Sequence, residues 1–187
     1  IEKCRYIMQN TSLPVICLTK SIFEDGFVRI TGSFAEVEAL LKINATFIAV
    51  DGTYRIREKQ YTGPDYIKKI KKMYPKILVM ADIATSQEAF ACYEAGADCI
   101  STTLCGYTPD TVFVNQEYPS FSLLEECIKF VPRDFPIMAE GRFNKPEYAA
   151  QAIENGAWAV IVGTSITRPQ IITRWYVNAI KKKVGQI

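Results

Sequence analysis

The chain has 187 residues, 49% of them apolar, and carries 22 basic against 20 acidic side chains for a formal charge of +2. That length supports one domain with a substantial core, and the near-balance of charge gives no reason to expect nucleic acid or an anionic membrane as a partner. Histidine is absent, which excludes Ser-His-Asp and Cys-His catalysis and nearly all zinc sites, and leaves acid–base work to Lys, Asp, Glu, Tyr or water.

The chain opens at Ile1 without an initiator Met, and no apolar run reaches the roughly 20 residues that a membrane span needs. From there the predicted elements alternate. LPVICLT (13–19) is the first continuous apolar run and leads into Lys20. Ser33 with Glu36 forms a capping box that opens a helix. ATFIAVD (45–51) is the second strand, followed by a helix capped by Thr62 and Asp65; its IKKIKK stretch (67–72) is a solvated lysine face. KILVMAD (76–82) is the third strand, and Thr85 with Glu88 caps the next helix. DCISTT (98–103) is the fourth strand, and the long connection 105–121 after it has the length of a lid or a site loop. Ser122 with Glu125 predicts the following helix start. FPIMAE (135–140) and WAVIVG (158–163) are the last two strands, with Pro146 in the first turn of the helix between them. EAGADCI (94–100) and ENGAWAV (154–160) repeat one helix–glycine–strand step. Trp158, Trp175 and Phe90 read as packing residues.

Strands that are apolar throughout, alternating with helices, predict a parallel sheet buried on both faces. This is an α/β chain of about six βα units, in either a doubly wound sheet or a (β/α)8 barrel. Cys4, Cys17, Cys92, Cys99, Cys105 and Cys127 contain no CxxC pair and read as reduced thiols of a cytoplasmic protein.

In both architectures ligands bind where the strands end at their carboxyl termini. Those ends carry Lys20, Asp51, Asp82, Thr102, Thr103, Glu140 and Gly163. A polar residue at a strand end often only begins a loop. A lysine between two carboxylates, however, can take a proton from carbon next to a carbonyl or form a Schiff base. AEGRFNKPE (139–147) and VGTSITRPQ (162–170) each set a glycine, Gly141 or Gly163, just past a strand. Backbone N–H groups there can cradle a phosphate, and Arg142 and Arg168 can add charged hydrogen bonds.

VMADIATSQEA (79–89), STTLCGYTPDT (101–111), IMAEGRFNKPE (137–147) and AVIVGTSITRPQIIT (159–173) together resemble the N-acetylmannosamine-6-phosphate 2-epimerase family. VDGTYRIR (50–57) and LPVICLTKS (13–21) are similar to its Asp-Ala-Thr strand end and to the strand that bears its lysine. The resemblance covers essentially the whole chain. It implies a TIM barrel that interconverts N-acetylmannosamine 6-phosphate and N-acetylglucosamine 6-phosphate in sialic acid breakdown, with no metal or organic cofactor. By position, Lys20 is the acid–base lysine, Glu140 the carboxylate that assists it and Asp82 a further active-site acid. Gly141, Arg142, Gly163, Thr164, Arg168, Asp51 and Thr103 are implied on the substrate and phosphate side. The family's first two βα units have no counterpart in these residues, so residues 1–187 form a single barrel-type domain missing its first two units, with strand edges that leave association between copies open. Gly52 stands where the family commonly has alanine and Thr164-Ser165 where it commonly has glycine, which shifts the phosphate cradle. The competing readings are a non-catalytic sugar-phosphate-binding relative and another phosphosugar barrel isomerase or lyase.

Overall fold

The structure, a computed structural model, describes residues 1–114 and 117–184. Helix α1 (Glu2–Gln9) precedes a hairpin of β1 (Lys20–Ile22) and β2 (Val28–Ile30). The βα alternation then runs α2 (Phe34–Leu41), β3 (Phe47–Asp51), α3 (Gly63–Met73), β4 (Leu78–Asp82), α4 (Ser86–Glu94), β5 (Cys99–Ser101), α5 (Phe121–Phe130), β6 (Ile137–Glu140), α6 (Pro146–Glu154), β7 (Ala159–Ile161), α7 (Thr164–Thr167) and α8 (Pro169–Val184). Strands β3 to β7 form one parallel sheet in chain order. These are five of the six predicted strands.

The sixth prediction, 13–19, is corrected. Only Cys17 pairs with the sheet, in a parallel bridge to Ile48 closed by Cys17 N–H to Phe47 O and Ala49 N–H to Cys17 O, both 2.9 Å. The reason is a competing partner. Pro14 offers no N–H, and at Thr19 the backbone turns to Thr31, donating to its Oγ1 (3.2 Å) and accepting from its N–H (3.0 Å). The chain therefore leaves β3 and enters the antiparallel hairpin, and Lys20 begins β1 instead of ending a parallel strand.

Local signals held where they acted within one turn. The Ser33–Glu36 and Thr85–Glu88 boxes are both closed, and Thr62 accepts from the Asp65 N–H. Pro146 opens α6, and helices end before Gly96 (φ 92°) and Gly156 (φ 98°), in the left-handed region where glycine carries no Cβ penalty. The Ser122–Glu125 box does not form. Helix α5 starts earlier, at Phe121, whose ring packs edge-on against Tyr148 at 6.0 Å; Ser122 is thus already inside the helix and Ser120 stands at its start without a side-chain cap bond.

The sheet separates two apolar layers, as alternation along a strand requires. Val50, Val79, Ala81, Ile100 and Ala139 pack with the helices, joined by Ile67, Ile70 and Leu124. Ala49, Met80 and Cys99 face the other way, against Ile30, Leu104 and the partly buried Ile16, Leu18, Met138 and Ile161. Gly52 follows Val50 to the helix side. A Cβ on it would come within 2.9 Å of Cys92 Sγ, so its small size serves α4 packing and not a phosphate loop. Phe90, though 45% exposed, packs its ring on Phe130 at 6.5 Å, whereas Trp158 is 67% exposed and does not meet the packing role expected of it. All six cysteines are free thiols, five of them buried. No helix among the described residues is long and apolar enough to cross a membrane.

Candidate active site

Residues two positions beyond the second apolar layer must project to the same face at the strands' carboxyl ends. Counting from Leu18, Ala49, Met80, Cys99 and Met138 gives Lys20, Asp51, Asp82, Ser101 and Glu140; the next alternate position after Ser101 is Thr103. The ladder aligns three of them directly, with Asp51 opposite Asp82 and Asp82 opposite Ser101.

Asp82, Thr103 and Glu140 meet. Thr103 Oγ1 lies 2.9 Å from Asp82 Oδ1 and 2.8 Å from Glu140 Oε2. Ser101 Oγ is 2.6 Å from Thr103 Oγ1 and 2.9 Å from Glu140 Oε2. Thr102 points away from this group and clamps the backbone of Glu140. Its hydroxyl donates to Glu140 O at 2.9 Å and accepts from Glu140 N–H at 3.0 Å. Asp82 is 1% exposed. Burial, then the charge of Glu140, push its carboxyl well above the usual aspartate range; Asp51 adds to this, while the Thr103 hydrogen bond and the Lys20 ammonium oppose it. Lys20 itself is exposed at the start of β1.

Asp51 belongs to a different arrangement. It is fully buried, and Thr53 donates to its Oδ1 through both N–H (3.0 Å) and Oγ1 (2.6 Å). Arg55 Nη2 donates to Oδ2 at 2.6 Å, and Arg57 donates to the Asp51 carbonyl at 2.6 Å, with Nη2 3.4 Å from Oδ1. Both carboxylate oxygens are thus taken by protein groups. Sequence reasoning missed Arg55 and Arg57 as members of the site region. The available signal was the alternation Asp51, Thr53, Arg55, Arg57, whose intervening residues Tyr54 and Ile56 are exposed. Arg55 continues into a cavity of about 920 Å³ between the hairpin and residues 55–60, where Arg29, paired with Asp25 at 2.5 Å, forms another wall. Arg29 Nε, Arg55 Nη1 and Arg57 Nε are buried with no hydrogen-bond partner among the described residues. Asp82, Thr103 and Glu140 do not line this cavity.

The two glycine loops lie side by side, tied by Ser165 Oγ donating to Phe143 O at 2.8 Å. Gly141 has φ 103° and needs to be glycine, whereas Gly163 has φ −99° and open space where a Cβ would stand. Arg142 is turned away. Its Nη2 donates to Cys105 O, and its guanidinium stacks over the Tyr107 ring at 5.1 Å, which ties the 105–107 turn to this loop. Arg168 is exposed beyond α7, and Thr164 is half-buried at the start of that helix.

Residues 1–182 match the family described as "Putative N-acetylmannosamine-6-phosphate epimerase". The chain belongs to that family. It is an isomerase family, and two curated members named "Putative N-acetylmannosamine-6-phosphate 2-epimerase" illustrate the similarity. That of Caldanaerobacter subterraneus subsp. tengcongensis is 42% identical over 177 residues, 95% of this chain and 73% of the relative. That of Clostridioides difficile is 40% identical over 181 residues, 97% of this chain and 78% of the relative. A solved structure of the N-acetylmannosamine-6-phosphate 2-epimerase of Clostridium perfringens superposes with a TM-score of 0.84 at 36% identity, covering 96% of this chain and 76% of that one. The epimerase fold is thereby that of the (β/α)8 barrel class, to which β3–β7 contribute five consecutive parallel strands.

Proposed function

We propose that this chain interconverts N-acetylmannosamine 6-phosphate and N-acetylglucosamine 6-phosphate by moving a proton at carbon 2, with Lys20 as the acid–base group. In the open-chain sugar that carbon neighbours the carbonyl, so the electron pair left by the proton spreads onto the carbonyl oxygen. Glu140 returns or accepts the second proton, and Asp82 sits behind it. The observation that carries this reading is the hydrogen-bonded meeting of Asp82, Thr103 and Glu140 at the strand ends. The joined loops at Gly141 and at Gly163–Thr164 support a phosphate site, with Arg168 as its cation because Arg142 is engaged by Cys105 and Tyr107. In this reading Asp51 serves the substrate indirectly, by fixing Arg55.

Incubation with N-acetylmannosamine 6-phosphate in deuterated water tests it. Deuterium at carbon 2 with conversion to the other epimer is expected. Binding with no deuterium would point to a non-catalytic phosphosugar-binding relative. Lys20→Met should lower exchange by about 10²–10⁴-fold while phosphosugar binding survives; undiminished exchange would assign the proton to another group.

A further inference from the structure

Four oxygen–oxygen contacts of 2.6–2.9 Å join Asp82, Thr103, Ser101 and Glu140. A hydroxyl owns one hydrogen. With both carboxyls ionised, Thr103 can donate to only one of its two carboxylate neighbours and is left with its lone pairs against the other. One carboxyl proton resolves the crowding at Thr103. Its oxygen then accepts from Asp82 and from Ser101 and donates to Glu140, which uses its full capacity.

We propose that Asp82 and Glu140 share a single proton in the resting protein and that the Thr103 hydroxyl carries it between them. Asp82 holds the proton out of water, and Glu140, half-exposed at the rim, is the end that meets the substrate. The exchange balances: Asp82 gives its proton to Thr103 Oγ1 as Thr103 gives its own hydrogen to Glu140 Oε2. The hydroxyl is regenerated, Asp82 becomes the anion and Glu140 the acid. Groups facing Asp82 from each neighbouring element fit a stored proton. From β3 comes Asp51, its charge already met by Arg55 and Arg57. From β5 come Ser101 and the buried thiol of Cys99, and from β6 the like charge of Glu140. Lys20 on β1 is the opposing cation, and it is exposed. The role in turnover rests on the epimerase reading. A proton removed from one face of carbon 2 has to be matched by one delivered to the other, and Thr103 and Asp82 act in this as positioning residues through Glu140.

The test uses the full chain and two independent readouts. Infrared spectra at neutral pH should contain the carbonyl band of one protonated buried carboxyl, sensitive to deuteration and absent in Asp82→Asn. Exchange at carbon 2 should fall about 10²-fold in kcat for Thr103→Val with KM within about a factor of two, and its pH profile should change shape; Thr103→Ser should restore both. No protonated-carboxyl band in the wild type, or Thr103→Val exchanging as fast as Thr103→Ser, overturns the proposal. Should Thr103→Val not fold, the wild-type band and the Asp82→Asn spectrum decide. Should the wild type show no exchange at all, the epimerase reading fails while the presence or absence of the band still upholds or overturns the shared proton.

Discussion

Asp51 and Asp82 stand directly opposite each other on adjacent parallel strands, and both are buried. Their surroundings are opposite. Asp51 is enclosed by two guanidinium groups and a threonine that spends its hydroxyl hydrogen on it. Asp82 faces a second carboxyl across a threonine hydroxyl and is held above the usual aspartate range. One residue type in one register row therefore yields a neutralised ion pair on β3 and a carboxyl of raised proton affinity on β4. A buried carboxyl becomes structural or reactive according to its neighbours.

The same isosteric change at the two positions should separate them most. Asp51→Asn leaves Arg57, which has a fully buried side chain, and Arg55 without their counter-charge. It should cost about 3–5 kcal/mol in urea unfolding; a loss below about 1 kcal/mol would mean the arginines are compensated elsewhere. Next, Thr53→Val removes a buried hydroxyl that serves both Asp51 and Arg55 Nε and should cost about 1–3 kcal/mol. The last change has the other sign. Asp82→Asn should make the fold more stable than the wild type at neutral pH. The raised folded-state affinity of Asp82 for its proton means that the unfolded chain releases that proton first, near pH 4. Wild-type stability from this group is thus full below that pH and is lost as pH rises through the folded-state value. The gap between Asp82→Asn and the wild type should accordingly close below about pH 4 and open above it, as followed by thermal unfolding across pH. A gap independent of pH would show that Asp82 binds its proton equally well in the folded and unfolded chain.

Particular residues show how much of the candidate site was legible before any coordinates. Asp82, Thr103 and Glu140, which the structure joins, were singled out as polar residues at the ends of apolar strands. Ser101 and Arg55 were passed over because they sit inside or beyond a run, where only alternate-position counting brings them to the same face. Arg142 had the chemistry of a phosphate ligand, yet the carbonyl of Cys105 and the ring of Tyr107 claimed it. The Ser122–Glu125 box had the right letters but lost to the packing of Phe121 on Tyr148, which set the helix start earlier.

By itself the sequence determined the βα alternation, the closed caps at Ser33 and Thr85 and the glycine exits at 96 and 156, because those depend on hydrogen bonds and dihedral angles spanning a few residues. Tertiary structure decided that residues 13–19 surrender all but one bridge to the hairpin and that Asp51 and Asp82 receive different neighbours. It also brought Thr103, 37 residues away along the chain, to Glu140. Those outcomes depend on strand register and on competition among distant partners for the same hydrogen bond, and neither is encoded in any one segment.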